Sequence, residues 1–426
     1  MEKVNLEWAE KCLAFIDKSV SCYHAVEQVE KRLSENGFVQ LDERSLWEVV
    51  PGGSYYVKRG DSSLAAFQIP DLSLKGFHIT ASHSDSPCFK IKTNPEMMLE
   101  NKYLKLNVEG YGGMIQSTWF DRCLSVAGRV VCTGENGLQT VTVNVDEDLL
   151  VIPNLAIHMN RSINKGVELN IQTDLLPLMG GPGAKGKLKE KLAFLAGVEE
   201  DEILGSDLFL YVREKGKIAG AEKEWMISPR LDDLECVFAS VEALLLAEPK
   251  EYCNMCVIFN HEEVGSHTKE GAASTFLRDT LERIGESLGK TRSDYLRFLA
   301  DSFMISADNA HALHPNHPEK ADPENRPLLN GGIVIKHHGG QRYTTDGVSE
   351  AVMKSLCREA QVPCQDYHNR SDIEGGSTLG NVLAGQVSVL SADIGLAQLA
   401  MHSAVETAGS GDVEYLIRVL KRFYEK

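Results

Sequence analysis

Eight acidic and imidazole side chains lie in short motifs at predicted strand ends or helix starts. The motifs are SHSDSP with His83 and Asp85, SPRLDD with Asp232 and Asp233, NHEEVGS with Glu262 and Glu263, FMISAD with Asp308, and LAMHSA with His402. Imidazole and carboxylate groups are common protein ligands of zinc. In open α/β sheets, ligand sites form at the carboxyl ends of the strands. The sequence therefore predicts that these residues meet in one metal site.

The types of these residues fit a site for two metal ions. Two zinc ions held close together need one carboxylate that bridges them, with His and carboxylate ligands on each side. One bridging Asp, two His and two further carboxylates supply that set. Of the adjacent Glu262 and Glu263, one can bind metal while its neighbour takes a proton from water. The segment from His261 to Gly265 lacks the second His of H-E-x-x-H, which excludes a one-zinc site of the thermolysin type.

Each motif taken singly has a simpler explanation. An H-x-D sequence is often a surface turn, although Asp85 can also hold the ring of His83 in the tautomer that presents its free nitrogen to a metal. An acidic pair is often a helix start, where Asp and Glu are favourable. The Ser-Pro-Arg before Asp232 and the Gly-Ser at 265–266 indicate fixed turns instead. The joint occurrence of the five motifs favours the two-metal site.

The elements that must position these residues are those of an α/β fold. Residues 1–92 and 227–426 alternate apolar strands such as GFHITASH and MCVIFN with amphipathic helices, which predicts an α/β sheet covered on both faces. Residues 93–226 differ, because LSVAGRVVC, QTVTVNV and VELNIQT predict a mostly antiparallel β unit. Since α/β sequence flanks that unit on both sides, we interpret 93–226 as a domain inserted into the first one.

Composition excludes several classes of partner. The 426 residues carry a formal net charge of −17, which disfavours nucleic acid and anionic membrane surfaces as partners. The apolar residues from Leu6 to Ile16 have helical spacing and do not form the core of a signal peptide. The ten Cys are scattered, and Cys253 and Cys256 lie in an apolar strand-like run, which is typical of core thiols. We therefore expect a cytoplasmic protein.

The sequence resembles the aspartyl aminopeptidases, the M18 family, over nearly the whole chain. The resemblance is carried in order by HSDSP, TWFDRCLSVAGRV, IPNLAIHMNR, ISPRLDD, FNHEEVGS, SADNAHALHPNH, the QRY segment and LAMHS. It implies a metallo-aminopeptidase-type α/β/α catalytic domain, an inserted β-rich dimerisation domain, and a dodecamer built from dimers. It also implies that His83 and Asp308 bind one metal, Glu263 and His402 bind the other, and Asp232 bridges the two.

The same resemblance implies the roles of further residues. Glu262 is expected to be the general base, and Asp85 is expected to support His83. Asp233 stands where some relatives carry Asn, and we assign it no role. His158, in the inserted domain, is expected to reach across the dimer to the oxyanion in a neighbouring subunit's active site. The metals are expected to be two divalent ions per subunit, Zn²⁺ above all, although such ligands also suit Co²⁺ or Mn²⁺.

The expected reaction is removal of N-terminal residues from peptides by a water that the metals activate. Lys336, after the strand GGIVI, is expected to line the pocket for the first side chain and to favour N-terminal Asp or Glu. Two alternatives remain open: a two-metal deacylase of other amides, and a catalytically silent assembly or cargo protein of the same fold. A silent relative would have no need to keep Glu262.

Overall fold

The structure is a computed structural model that describes residues 6–71, 74–134 and 137–426. Within these ranges the helices, in chain order, are α1 Glu7–Lys18, α2 Cys22–Glu35, α3 Ile171–Asp174, α4 Lys187–Ala196, α5 Leu231–Leu246, α6 Phe276–Ser287, α7 Arg292–Ala300, α8 Gly347–Ala360, α9 Leu379–Ala384 and α10 Asp412–Tyr424. The strands are β1 Val39–Leu41, β2 Ser54–Arg59, β3 Ser63–Gln68, β4 Gly76–His83, β5 Cys88–Leu99, β6 Tyr103–Tyr111, β7 Leu124–Gly134, β8 Gly137–Asn144, β9 Leu178–Gly180, β10 Ile203–Val212, β11 Lys217–Ala219, β12 Trp225–Ser228, β13 Tyr252–Phe259, β14 Phe303–Ala307, β15 Ala310–His311, β16 Ile333–His337, β17 Cys364–His368, β18 Leu390–Gly395, β19 Ala397–Leu399 and β20 Glu406–Gly409.

A nine-stranded sheet forms the centre of the fold, in the order β1-β2-β3-β13-β4-β14-β18-β16-β17. Strand β4 is buried along its whole length and pairs in parallel with β13 on one side and β14 on the other. The register places Phe259 opposite His83. The carboxyl ends of these three strands therefore meet at one edge of the sheet.

Helices cover both faces of this sheet. One apolar cluster packs α1, α2, α5, α8 and α10 against one face, and a second cluster packs α6, α7 and α9 against the other. Helix α5 is apolar on nearly all sides because it lies between the sheet and the helices α1 and α10. The predicted α/β class is confirmed.

A six-stranded antiparallel sheet, in the order β8-β7-β10-β5-β6-β9, has its own apolar cluster. Its strands lie between Cys88 and Val212, inside the predicted β-rich region but for the start of β5. The strand predicted at VELNIQT is wrong: residues 167–170 have no regular structure, and Ile171–Asp174 form the short helix α3, which Asn170 caps with its side chain.

A third sheet, β11-β12-β20-β19-β15, joins residues of the two predicted domains. Strand β12 pairs with β20 through Trp225–Ser228 and residues 406–409. The limits at 92/93 and 226/227 remain a prediction, and the sheets show only how the segments pair.

The expectation for the cysteines is met. Cys253 and Cys256 are fully buried, and all ten cysteines are free. In the part of the chain that the structure describes, no helix combines the length and the apolar character that crossing a membrane requires.

Candidate metal centre

The candidate ligands lie at strand ends of the nine-stranded sheet, at the start of helix α5 and in a turn of the third sheet. His83 is the last residue of β4, and Asp308 follows β14 directly. Glu262 and Glu263 form a 3₁₀ turn just after β13. Two ligands come from other places: Asp232 lies in the first turn of α5, and His402 lies in the turn between β19 and β20. The fold thus brings all of the predicted metal-ligating residues together.

Asp232 belongs to two groups of possible ligands. One group joins it to His83 and Asp308, the other to Glu263 and His402, and in each group the ligand atoms lie within 4.8 Å of one another. Asp232 Oδ1 is 3.9 Å from His83 Nε2, while its Oδ2 is 3.3 Å from His402 Nε2. The two oxygens of Asp232 therefore face two different histidines, which is the arrangement that a bridging carboxylate requires.

The donor atoms fit divalent cations. Asp232 Oδ1 and Glu263 Oε1 are buried and have no hydrogen-bond partner among the residues that the structure describes. Burial raises the pKa of Glu263 well above its ordinary value, and burial also raises the pKa of Asp308. Carboxylates buried this closely are costly unless a cation lies among them. Oxygen and imidazole donors are what zinc accepts, so the residues present fit a metal.

Asp85 connects the two acidic motifs. His83 Nδ1 donates to the backbone carbonyl of Asp85 at 3.0 Å, and the Asp85 carboxylate lies at 3.4 Å. That carboxylate accepts the N–H groups of Glu262 and Glu263, each at 3.2 Å, and the hydroxyl of Tyr111 at 2.7 Å. The closer contact of the His83 ring is therefore backbone, while the Asp85 side chain fixes the turn that carries the two glutamates.

The segment that follows β6 of the six-stranded sheet supports His402. Gly113 O accepts a hydrogen bond from His402 Nδ1 at 2.9 Å, and Ile115 N donates to His402 O at 2.8 Å. Thr118 Oγ1 accepts from Ala404 N at 2.9 Å. The His402 ring is thereby oriented with Nε2 toward Asp232 and Glu263.

Sequence patterns did not predict the roles of several residues that hold this site. Glu406 accepts the N–H groups of Asp232 and His402, and burial raises its pKa to about 8. Asp233, to which we assigned no role, accepts the N–H of His83 at 3.1 Å. Asn309 donates to Leu231 O at 3.2 Å. No sequence pattern predicts buried hydrogen bonds to backbone groups. The four-residue spacing from His402 to Glu406 does not by itself indicate that the two residues are in contact.

A cavity of about 300 Å³ opens beside the ligands. Its lining includes His311, Lys336, Tyr343 and Tyr367, together with ligands and Glu262. Lys336 is 2% exposed, and its Nζ donates to Asn309 O at 2.7 Å and lies 3.6 Å from Asp308 Oδ1. The predicted pocket residue thus lines the cavity and also contacts a candidate ligand.

His158 stands apart from this cavity. It lies in an exposed segment between β8 and α3 and is not among the residues that line the cavity of its own chain. Of the predicted site residues, only His158 is not brought to the site. A set of histidines and carboxylates at strand ends, beside a cavity of this size, is typical of a metal-dependent hydrolase.

Comparison with known proteins gives the family. The model of the family described as "Aminopeptidase I zinc metalloprotease (M18)" matches residues 15–424. A probable M18 family aminopeptidase 2 of Clostridium acetobutylicum is 47% identical over 430 residues, which cover 99% of this chain and 99% of the relative. The chain belongs to the M18 family and is a zinc metallo-aminopeptidase, a hydrolase.

Solved structures agree with this assignment. A chain in the cryo-EM structure of the Ape4 and Nbr1 complex has a TM-score of 0.95 at 36% identity, over 98% of this chain and 85% of that one. A chain of the S. cerevisiae mApe1 dodecamer has a TM-score of 0.86 at 27% identity, over 98% of this chain and 96% of that one. The predicted family and enzyme class are confirmed.

Proposed function

We propose that the enzyme uses two divalent metal ions, bridged by Asp232, to remove N-terminal residues from peptides. His83 and Asp308 would hold one ion, and Glu263 and His402 would hold the other. The observation that carries this proposal is the placement of the two Asp232 oxygens toward different histidines, at 3.9 and 3.3 Å. When bound, the two ions would polarise the scissile carbonyl and acidify a water.

Glu262 is the residue that we propose to move the proton. It lies with His83 and Glu263 in a third group whose ligand atoms are within 4.8 Å. Burial raises the pKa of Glu262 to about 8 in the metal-free protein, and bound cations would lower it. A base or acid is most effective with a pKa near the working pH. Glu262 would take a proton from the attacking water and return it to the departing amine. Asp85 holds its backbone N–H and so fixes its position.

Preference for an N-terminal Asp or Glu is the finer part of this proposal, and it rests on Lys336. A chain of net charge −17 repels acidic peptides at long range, so an acidic preference requires a local cation. Lys336 is a buried ammonium in the lining of the cavity. Its 3.6 Å contact with Asp308 is a competing role, since the ammonium would then serve every substrate through the metal ligand.

We also propose that the enzyme is a homo-oligomer, a dodecamer built from dimers, in which His158 acts in a neighbouring subunit. The S. cerevisiae relative whose structure matches this chain is a dodecamer. Exposed apolar side chains flank His158 at Leu155, Ile157 and Met159, as expected of a segment that a partner covers. Residues 93–226 would form the dimerisation domain, and peptides would be the substrates. A cytoplasmic location, in keeping with ten free cysteines, completes the proposal.

The number and identity of the metal ions test the mechanism directly. Metal-free enzyme is reloaded with Zn²⁺, Co²⁺ or Mn²⁺, the ions per chain are measured, and a panel of aminoacyl-chromophore substrates is assayed. We expect two ions per chain and an activity that requires both. Full activity with one ion per chain would contradict the two-metal mechanism.

The role of His158 is tested by mixing subunits. The variants His158→Ala and Glu262→Gln, each inactive alone, are dissociated together and reassembled. If His158 acts across the dimer, mixed dimers contain one complete site and regain partial activity. Absence of recovery in dimers verified as mixed would show that His158 does not act in a neighbouring subunit.

A further inference from the structure

Glu406 holds the backbones of two candidate ligands at once. Its Oε2 accepts the N–H of Asp232 at 3.1 Å, and its Oε1 accepts the N–H of His402 at 2.7 Å. The residue is 2% exposed and is the first residue of β20. One carboxylate therefore connects the start of α5 to the turn between β19 and β20.

Neither of these backbones has the geometry of a regular helix, so helical hydrogen bonds do not hold either of them in place. Asp232 lies in the first turn of α5 with the non-helical angles φ −83° and ψ 111°. His402 has a φ of 66°, in the left-handed region that residues other than glycine seldom adopt. Since the direction of a side chain follows from its backbone, holding these two N–H groups sets where both ligands point.

The carbonyl groups on either side of the Asp232 Cα also accept hydrogen bonds. Leu231 O, in the peptide group that precedes Asp232, accepts from Asn309 Nδ2 at 3.2 Å. Asp232 O accepts from Ser86 Oγ at 2.8 Å. Of these contacts, only those of Glu406 also reach the second ligand.

We propose that Glu406 is a positioning residue that sets the placement of Asp232 relative to His402, and thereby the metal affinity of the pair. The inference rests on the proposed two-metal function. A role in stability alone would give the same hydrogen bonds, so the test must measure metal binding as well as unfolding.

Glu406→Gln is the variant of choice, because its side chain keeps the shape but turns one acceptor oxygen into an amide N–H₂ that faces a backbone N–H. Metal affinity is measured by competition with a chelator, and the melting temperature is measured on metal-free protein. We expect the affinity at the His402 side to fall by about tenfold to hundredfold, as for loss of other groups that orient ligands.

Asp412→Asn is the matched control. Asp412 is fully buried and accepts the N–H groups of Asn330 and Gly332 at 2.6 and 2.9 Å, and neither of these residues is a candidate ligand. We expect both variants to lower the melting temperature, but only Glu406→Gln to weaken metal binding. Equal metal affinity in wild type, Glu406→Gln and Asp412→Asn would overturn the inference.

Two further measurements keep the outcome clear. If Glu406→Gln does not fold, Glu406→Asp replaces it, because the shorter carboxylate keeps the charge but cannot reach both N–H groups, and the same loss of affinity is expected. The ion count of the wild-type enzyme is taken in the same titration. A count of one would contradict the two-metal proposal, whereas a count of two with unaltered affinity in the variant contradicts the role of Glu406 only.

Discussion

The carbonyl oxygen of Gly113 accepts a hydrogen bond from Nδ1 of His402 at 2.9 Å. Gly113 lies two residues beyond the end of β6, in the six-stranded sheet, whereas His402 lies between two strands of the five-stranded sheet. Because the carbonyl can only accept, the proton of the neutral ring is on Nδ1, and Nε2 is left free to bind metal. A segment next to one sheet therefore sets the tautomer of a candidate ligand that another sheet carries.

The two adjacent glutamates are expected to respond differently to the same substitution. Glu262→Gln should keep the metal but lower kcat by about a hundredfold or more, as loss of a general base does. Glu263→Gln should lose metal instead, because its buried Oε1 faces His402 Nε2 at 3.4 Å. Metal content and kcat are measured for both variants, and each variant serves as the control for the other. Near-normal kcat in metal-loaded Glu262→Gln would show that the base is another residue.

Tyr111→Phe is expected to weaken metal binding from outside the ligand set. The change removes the hydroxyl that donates to Asp85 Oδ2 at 2.7 Å, and losing such an outer contact typically costs about tenfold to hundredfold in metal affinity. The control is Tyr211→Phe. The Tyr211 hydroxyl belongs to the same sheet, but it donates to Asn144 at 2.8 Å and not to a residue of the candidate site. Chelator competition on both variants checks the prediction. Equal affinities would show that Asp85 needs no support from Tyr111.

Lys336→Met separates the two roles of the buried ammonium. If Lys336 reads the first side chain, kcat/KM should fall by about tenfold to hundredfold more on N-terminal Asp than on N-terminal Leu, since a hydrogen bond to a charged group contributes about 1.5–3 kcal/mol. Lys354→Met is the control, because Lys354 also pairs with carboxylates, but these are Glu350 and Asp366 and not residues of the candidate site. Equal losses on both substrates would show that Lys336 acts through Asp308.

His78 should lower the stability of the metal-free protein in mild acid relative to a variant that lacks this imidazole. The His78 ring stacks on Tyr252 with centroids 4.0 Å apart, and its Nδ1 has no hydrogen-bond partner within the described part of the chain. Burial lowers its pKa from 6.5 to about 4. Between these two values the unfolded chain binds more protons than the folded one. The free energy of unfolding therefore falls as pH falls through this window, by about 3 kcal/mol for this group.

His78→Phe keeps the stacking but removes the titration. Denaturant unfolding at several pH values between 7 and 4 should show that the variant gains stability relative to wild type as the pH falls. His267→Phe, at an exposed histidine, should leave the dependence of the wild type unchanged. The same acid dependence in all three proteins would contradict the role of His78.

Much of the site was predictable because its residues lie beside strong local patterns. Apolar runs such as the one ending at His83 predict buried strands, and polar residues just beyond such runs must lie at the edge of the sheet. Asp308 and the pair after β13 follow the same rule. The register of β4 with β13 and β14 then brings these strand ends together.

The remainder depended on contacts that no local pattern encodes. Glu406 acts through two backbone N–H groups far apart in sequence, and Gly113 acts through a carbonyl, which every residue possesses. The segment VELNIQT alternates as a strand does, yet it forms no strand within its own chain, because alternation specifies a face and not a partner. The assignment of bridging and terminal ligands came from family resemblance.

The order of the ligands along the chain has a consequence for biosynthesis. The first candidate ligand along the chain is His83, and the last one, His402, follows only after every strand of the six-stranded and nine-stranded sheets has been made. Domains fold as they emerge during translation, at about 5–20 residues per second. A nascent chain therefore carries His83, Asp232, Glu263 and Asp308 without His402 until synthesis is nearly complete. If the enzyme holds two ions as proposed, binding of both is a late event, and a chain truncated before His402 would lack a ligand of the second ion and the stabilisation that its binding gives.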